Sequence, residues 1–216
     1  MKYDLVIFDL DGTLLDTLDD LKNAVNAALA GHGAPARTRE QVRMAIGDGL
    51  RMLLTRSLPT GAPDAEIAEA IADFKAFYDS NIDVETKPYP GVANLLAALM
   101  DAGIRIGVNS NKYDEAVKAL CESHFYGFYG RAFGESAETP KKPSPVAAAR
   151  IMKELGVAPN RTLYVGDSAV DLETAKNAGI AAAWVSWGFR TRDEIGDLGA
   201  VPAFDTADAL RTYILG

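Results

Sequence analysis

Four short apolar runs punctuate the chain: Leu5-Val6-Ile7-Phe8, Ile104-Arg105-Ile106-Gly107-Val108, Thr162-Leu163-Tyr164-Val165 and Ala182-Ala183-Trp184-Val185. Three of them show no polar–apolar alternation, which predicts strands covered on both faces, as in a parallel sheet. The second carries Arg105 and is expected nearer an edge. Ala132-Phe133-Gly134 is a further, weaker strand. Helical periodicity lies between the runs. Val92, Leu95, Leu96 and Leu99 share one face and stop at Gly103; Val146, Ile151 and Leu155 belong to a helix ending at Gly156; another runs from about Val170 to Ala178 and closes at Gly179. Strands alternating with helices predict an α/β doubly wound, Rossmann-like parallel sheet.

Residues 16–87 break that rhythm. Leu18, Leu21, Val25, Ala28 and Leu29 form one apolar stripe, and Ile67, Ile71, Phe74 and Tyr78 form another. Thr38-Arg39-Glu40-Gln41 reads as a capping box, Gly47-Asp48-Gly49 as an interruption, and Pro88-Tyr89-Pro90-Gly91 as the end of the segment. A βαβ crossover needs one helix, and this region offers an excess. The expected organisation is therefore an α/β core from residues 1–15 and 88–216, with 16–87 inserted as an all-helical module. The plainer alternative is that these helices simply cover the sheet.

Composition adds exclusions. The 216 residues carry a formal charge of −8, which argues against nonspecific nucleic-acid binding and against anionic membrane surfaces. No stretch approaches the roughly 18 apolar residues of a membrane span. Cys121 is the sole cysteine, so no intrachain disulfide forms, and the expectation is a small apolar residue in a reducing, cytoplasmic setting.

Ligands of an open parallel sheet bind at the carboxyl ends of its strands. The first strand runs into Asp9-Leu10-Asp11-Gly12-Thr13, the second into Asn109-Ser110-Asn111-Lys112, and a later one into Gly166-Asp167-Ser168, with Asp171 just beyond. Lys141-Lys142-Pro143 lies between them. Taken singly, each aspartate reads equally well as a helix cap, Ser110 as a cap and Lys142 as a solvated charge. Together they bring carboxylates, a hydroxyl–amide pair and an ammonium to one rim. Clustered carboxylates repel unless a cation joins them, and oxygen ligands suit a hard divalent ion, Mg²⁺ by default.

Asp9-Leu10-Asp11-Gly12-Thr13-Leu14 resembles the first motif of the haloacid dehalogenase-like hydrolases. Ser110-Asn111-Lys112 resembles their second motif, Lys142-Pro143-Ser144-Pro145 the third, and Gly166-Asp167-Ser168-Ala169-Val170-Asp171 the fourth. The resemblance implies Asp9 as a nucleophile forming an aspartyl phosphate, and Asp11 as the general acid and then base. It further implies Mg²⁺ on Asp9, the Asp11 carbonyl and Asp167. Ser110, Asn111 and Lys142 would bind the phosphoryl group, and Ser168 and Asp171 would support from behind. Lys142, next to Pro143, matches the family pattern better than Lys141. Gly12 would let the chain turn closely beneath the phosphate. An aspartate at position 11 points to phosphate esters rather than organohalides.

The helical insert resembles the small cap of this superfamily. Val42-Arg43-Met44-Ala45-Ile46-Gly47-Asp48-Gly49-Leu50 resembles phosphoglycolate phosphatases. Arg43, Gly47, Asp48 and Gly49 are accordingly expected to reach the substrate, although a solvated arginine and a helix-breaking turn are the plain alternatives. The implied partner is a small phosphorylated metabolite, with 2-phosphoglycolate giving glycolate and phosphate as the leading reaction, in a monomer or homodimer. Alternatives are a phosphosugar mutase, another sugar, nucleotide or pyrophosphate phosphatase, or a noncatalytic phosphate-binding regulator.

Overall fold

The run Leu5–Phe8 forms strand β1, and every residue of it is buried. Leu5 and Ile7 pack into one apolar cluster while Val6 and Phe8 pack into another on the opposite face, which is why the run shows no polar alternation. The computed structural model describes residues 2–197 and 199–216. After β1 come a short strand β2 (Leu15–Asp16) and four helices: α1 (Leu18–Gly31), α2 (Arg39–Ala45), α3 (Leu50–Ser57) and α4 (Asp64–Tyr78). The chain returns through β3 (Lys87–Pro88), α5 (Val92–Asp101), β4 (Arg105–Tyr113), α6 (Asp114–Phe125), β5 (Arg131–Glu135) and α7 (Val146–Leu155). It ends with β6 (Thr162–Gly166), α8 (Ala169–Ala178), β7 (Ala181–Val185), α9 (Arg192–Ile195), β8 (Ala203–Phe204) and α10 (Ala207–Leu215).

The main sheet has the order β5-β4-β1-β6-β7-β8 with parallel pairing throughout. It is a doubly wound α/β sheet with an all-helical cap inserted after β1. The weak strand at 132–134 is real and forms an edge. Arg105 does not mark an edge: β4 lies between β1 and β5, and Arg105 is exposed because it begins the strand at the end of the sheet away from the site. The tail after Val185, where the apolar signal is thin, adds β8 and α10, whose Leu210 and Ile214 are buried against the sheet. Among the described residues no helix is long and apolar enough to cross a membrane.

The inserted helices have their own core. Leu18, Val25, Leu29, Leu54, Phe74 and Tyr78 cluster together, joined at the boundary by Tyr113, Ala116 and Phe189 from the sheet side. The Thr38 capping box forms as expected, with Gln41 N donating to the Thr38 hydroxyl at 3.2 Å and Thr38 N to Gln41 Oε1 at 2.9 Å. The two crossings between cap and core are tied. β2 and β3 pair antiparallel through Leu15–Pro88 and Asp16–Lys87. Buried Asp20, on α1, accepts from the amides of Val84, Glu85 and Thr86 and from the Thr86 hydroxyl at 2.7–3.1 Å.

Removing the Asp20 carboxylate strands buried donors. Asp20→Ala is expected to destabilise the protein by about 2–4 kcal/mol, read as a lowered urea midpoint. An unchanged midpoint would mean that the return linker is held by other contacts.

Candidate active site

The register sets the site. Phe8 is level with Val108 of β4 and with Val165 of β6, so the next residue of each strand emerges at one edge. Asp9 N donates to Val165 O at 2.9 Å, which fixes the first aspartate on that edge. β4 pairs regularly with β5 up to Asn109–Phe133 and resumes at Tyr113–Glu135. Two extra β4 residues are accommodated in between, and this irregularity takes Ser110, Asn111 and Lys112 out of the ladder.

Asp9, Asp167 and Asp171 are buried, and an oxygen of each lies within 4.8 Å of the others. Lys142 is the inward lysine. Its ammonium sits 2.8 Å from Asp9 Oδ1 and 2.7 Å from Asp171 Oδ1. Lys141 points the other way and donates to Asp48 O at 2.9 Å. Ser168 opens α8 as its cap, and its amide and hydroxyl donate to Asp171 Oδ2 at 3.0 and 2.6 Å. Both Asp171 oxygens are therefore already used, one by Lys142 and one by Ser168.

One ammonium cannot neutralise three buried carboxylates. Burial works against the Lys142 charge, but Asp171 and Asp9 outweigh it and hold its pKa well above the ordinary value. The surplus falls on the acids. Burial first, then the Asp171 charge, pushes Asp9 well above the usual carboxylate range, and the same two causes push Asp167 up to about 7. A divalent cation fits this deficit. Asp9 Oδ1 takes the Leu10 amide and Lys142, and Asp167 Oδ2 takes the Phe189 amide at 2.6 Å. The second oxygen of each has no donor among the described residues, so the open oxygens belong to Asp9 and Asp167 and not to Asp171. Gly12, at φ 86°, and Gly188 flank Asp167: a Cβ on either would come within 2.5 Å of Asp167 Oδ2. The space Gly12 saves therefore belongs to this carboxylate.

Asp11 lies beside the cluster. Its Oδ1 accepts from the Thr17 hydroxyl at 2.6 Å, and Lys112 Nζ stands 3.2 Å from its Oδ2. Asn111 ties core to cap: its amide nitrogen donates to Gly47 O at 2.7 Å while its Oδ1 accepts from Lys142 N at 2.6 Å. Ser110 is buried and, with Asp9, Asp11, Asn111, Lys142 and Asp167, lines a cavity of about 70 Å³ between core and cap. Gly47 and Gly49 line it too.

Arg43 and Asp48 are not among the lining residues. Arg43 is clasped by Glu40, Glu194 and the Phe189 carbonyl, and Asp48 pairs with Arg56 at 2.5 Å. Two cations not singled out from sequence line the cavity instead, Lys112 and Arg190. Arg190 donates to Arg43 O at 2.9 Å and Ile46 O at 2.5 Å, closing the end of α2. Cys121 is inert, since burial pushes its thiol up to about 12. His32 and His124 pair with Asp73 and Asp83, away from the site. Phe125 is buried and Tyr126 exposed, and neither lines the cavity.

The sign of the pH effect follows. A raised folded-state pKa means that Asp167 binds its proton more tightly folded than unfolded. In metal-free protein the associated stability is present below the ordinary aspartate value of 3.8 and is lost as pH rises through about 7. In EDTA, Asp167→Asn is therefore expected to gain in melting temperature relative to the unsubstituted protein between pH 5 and pH 8. A constant difference across that range would contradict the burial of this charge.

Comparison with known proteins agrees with this arrangement. A family model described as haloacid dehalogenase-like hydrolase matches residues 6–185. Phosphoglycolate phosphatase 1 of Pseudomonas aeruginosa is 38% identical over 192 residues, spanning 86% of this chain and 70% of that protein. A crystal structure from Lactobacillus delbrueckii, of a protein provisionally named a phosphoglycolate phosphatase, superposes with a TM-score of 0.94 at 33% identity, covering 100% of both chains. The crystal structure of CbbY from Rhodobacter sphaeroides in complex with phosphate gives a TM-score of 0.77 at 30% identity over 96% of each chain. On the matched span and this identity, the chain belongs to the haloacid dehalogenase-like hydrolase family.

Proposed function

We propose that this chain is a Mg²⁺-dependent phosphatase of small phosphomonoesters, and that 2-phosphoglycolate is its leading substrate. The carrying observation is buried Asp9 and Asp167 at adjoining strand ends, with the Lys142 ammonium on Asp9 and Asp11 beside them. The relatives named phosphoglycolate phosphatase support the substrate. We assign residues 1–15 and 88–216 to the catalytic core and 16–87 to the cap. The working partner is a small metabolite taken by a monomer or homodimer in the cytoplasm, not nucleic acid.

Asp9 attacks phosphorus, and the bond from phosphorus to the leaving oxygen breaks as the aspartyl phosphate forms. Asp11 gives its proton to the departing oxygen, then accepts one from the water that attacks the aspartyl phosphate and releases phosphate. The two-residue offset puts Asp9 at the strand end and Asp11 on the loop, held by Thr17. Lys142 offsets charge on Asp9 and the phosphoryl oxygens, while Ser110 and Asn111 line the phosphoryl side. Asp171 holds the Lys142 ammonium in place. Asp9, Asp167 and the Asp11 carbonyl would hold Mg²⁺, which supplies positive charge to a bound phosphoryl group. The cap closes over the cavity and excludes water.

The cap wall of the cavity is mostly apolar, with Leu21, Ile46, Leu50, Leu53 and Phe74, and its Tyr78 hydroxyl already accepts from Lys112. It offers a polyhydroxylated sugar few hydrogen-bond partners, so the mutase alternative is not favoured.

Asp9→Asn is expected to lower Mg²⁺-dependent phosphate release from 2-phosphoglycolate by on the order of a thousandfold or more, measured by colorimetric phosphate detection. Retention of full activity would remove Asp9 from the nucleophile's role.

A further inference from the structure

Lys112 closes the Ser110-Asn111-Lys112 motif, and its surroundings set it apart. It is buried at the cap–core boundary, with its ammonium 3.2 Å from Asp11 Oδ2 and 3.0 Å from the Tyr78 hydroxyl. Tyr78 ends helix α4 of the cap, and the ammonium also lies 4.8 Å from the centre of its ring. An ammonium has three N–H donors. Asp11 and Tyr78 occupy two, and the residue lines the cavity.

Position then limits what the third donor meets. The acid that protonates a leaving oxygen stands about 2.6–3.2 Å from it. Lys112 pairs with that acid, whereas the Lys142 ammonium is held by Asp9 and Asp171. In 2-phosphoglycolate the carboxylate carbon is bonded to the carbon that carries the leaving oxygen, so the carboxylate falls within reach of a cation beside Asp11. Of the other lining cations, Lys142 is held by Asp9 and Asp171, and Arg190 gives donors to cap carbonyls and lies by Phe189, next to Asp167. The rest of the cap wall is apolar, and the cavity of about 70 Å³ has room for roughly two waters at ~30 Å³ each. A small leaving group with one anionic end fits these conditions.

We propose that Lys112 is the specificity-determining residue for the leaving group: its ammonium pairs with the substrate carboxylate while holding Asp11, and Tyr78 of the cap orients it. The assignment rests on the phosphatase reading above. It makes a small phosphorylated carboxylic acid, rather than any small phosphomonoester, the preferred substrate.

Three substrates separate the roles in the full-length protein with Mg²⁺. 2-Phosphoglycolate needs both the acid and the carboxylate contact, ethyl phosphate needs the acid alone, and p-nitrophenyl phosphate has a leaving group that needs no proton. In Lys112→Met, kcat/KM for 2-phosphoglycolate is expected to fall about 100-fold or more, against less than about tenfold for ethyl phosphate. Competitive inhibition by the product glycolate is expected of the unsubstituted protein and should weaken at least about tenfold in the variant. Lys112→Gln, which keeps a hydrogen-bonding side chain without the charge, should show the same loss of selectivity if the methionine variant folds poorly. Equal losses on 2-phosphoglycolate and ethyl phosphate would overturn the proposal and leave Lys112 acting through Asp11 alone. Failure of the unsubstituted protein to turn over 2-phosphoglycolate, while cleaving p-nitrophenyl phosphate, would instead sink the substrate reading on which it stands.

Discussion

Asp9, Asp167 and Asp171 sit where water hardly reaches, and the Lys142 ammonium is the counter-charge that two of them share. Like charges at this spacing in a poorly solvated place are strongly unfavourable unless something positive stands between them. Lys142 removes part of the problem and leaves an excess of negative charge. That excess shapes the rest of the site. Glycines flank Asp167, backbone amides donate to Asp9 and Asp167, and two carboxylate oxygens remain open toward a cation. A rim built this way gains charge balance when a divalent ion and an anionic phosphoryl group arrive together.

The cap is joined to this rim by contacts to the backbone of its Ile46–Gly49 loop. Asn111 donates to Gly47 O, Lys141 to Asp48 O and Arg190 to Ile46 O. The same Asn111 accepts from the Lys142 amide, so the residue beside the phosphoryl site also holds the cap loop. Closure and the charge cluster thus share a residue. At the other end of the cavity, Tyr78 meets Lys112 and the Tyr113 hydroxyl donates to Asp79 at 2.5 Å, which seats the end of α4 on the end of β4.

The core was legible because its signals are local. Uninterrupted apolar runs marked buried strands, Asp9 and Asp167 stood beside them in the chain, and Lys142 was marked instead by the proline that follows it. The helical stripes of the cap were equally plain, since an amphipathic helix states its buried face in its own sequence. What could not be read depends on partners far away in the chain. Arg43 looked free to bind a substrate, but Glu194 and the Phe189 carbonyl, on the far side of the sequence, take it up. Lys112 stood only as the last residue of the second motif until α4 brought Tyr78 to it. Arg190 follows β7 with no local pattern to announce it. Arg105 misled because a strand's first residue can be exposed even in the middle of a sheet. β8 spans two residues, below what periodicity resolves.

The central claim is that Asp9, Lys142 and Asp167 surround one ion-and-phosphoryl pocket. Crystallising the protein with Mg²⁺ and beryllium fluoride, which mimics a phosphoryl group on a carboxylate, tests it most directly. The account predicts beryllium fluoride bonded to an Asp9 carboxylate oxygen, the Lys142 ammonium against a fluorine, and the ion held between Asp9 and Asp167. Beryllium fluoride on another residue, or an ion bound without Asp167, would contradict it.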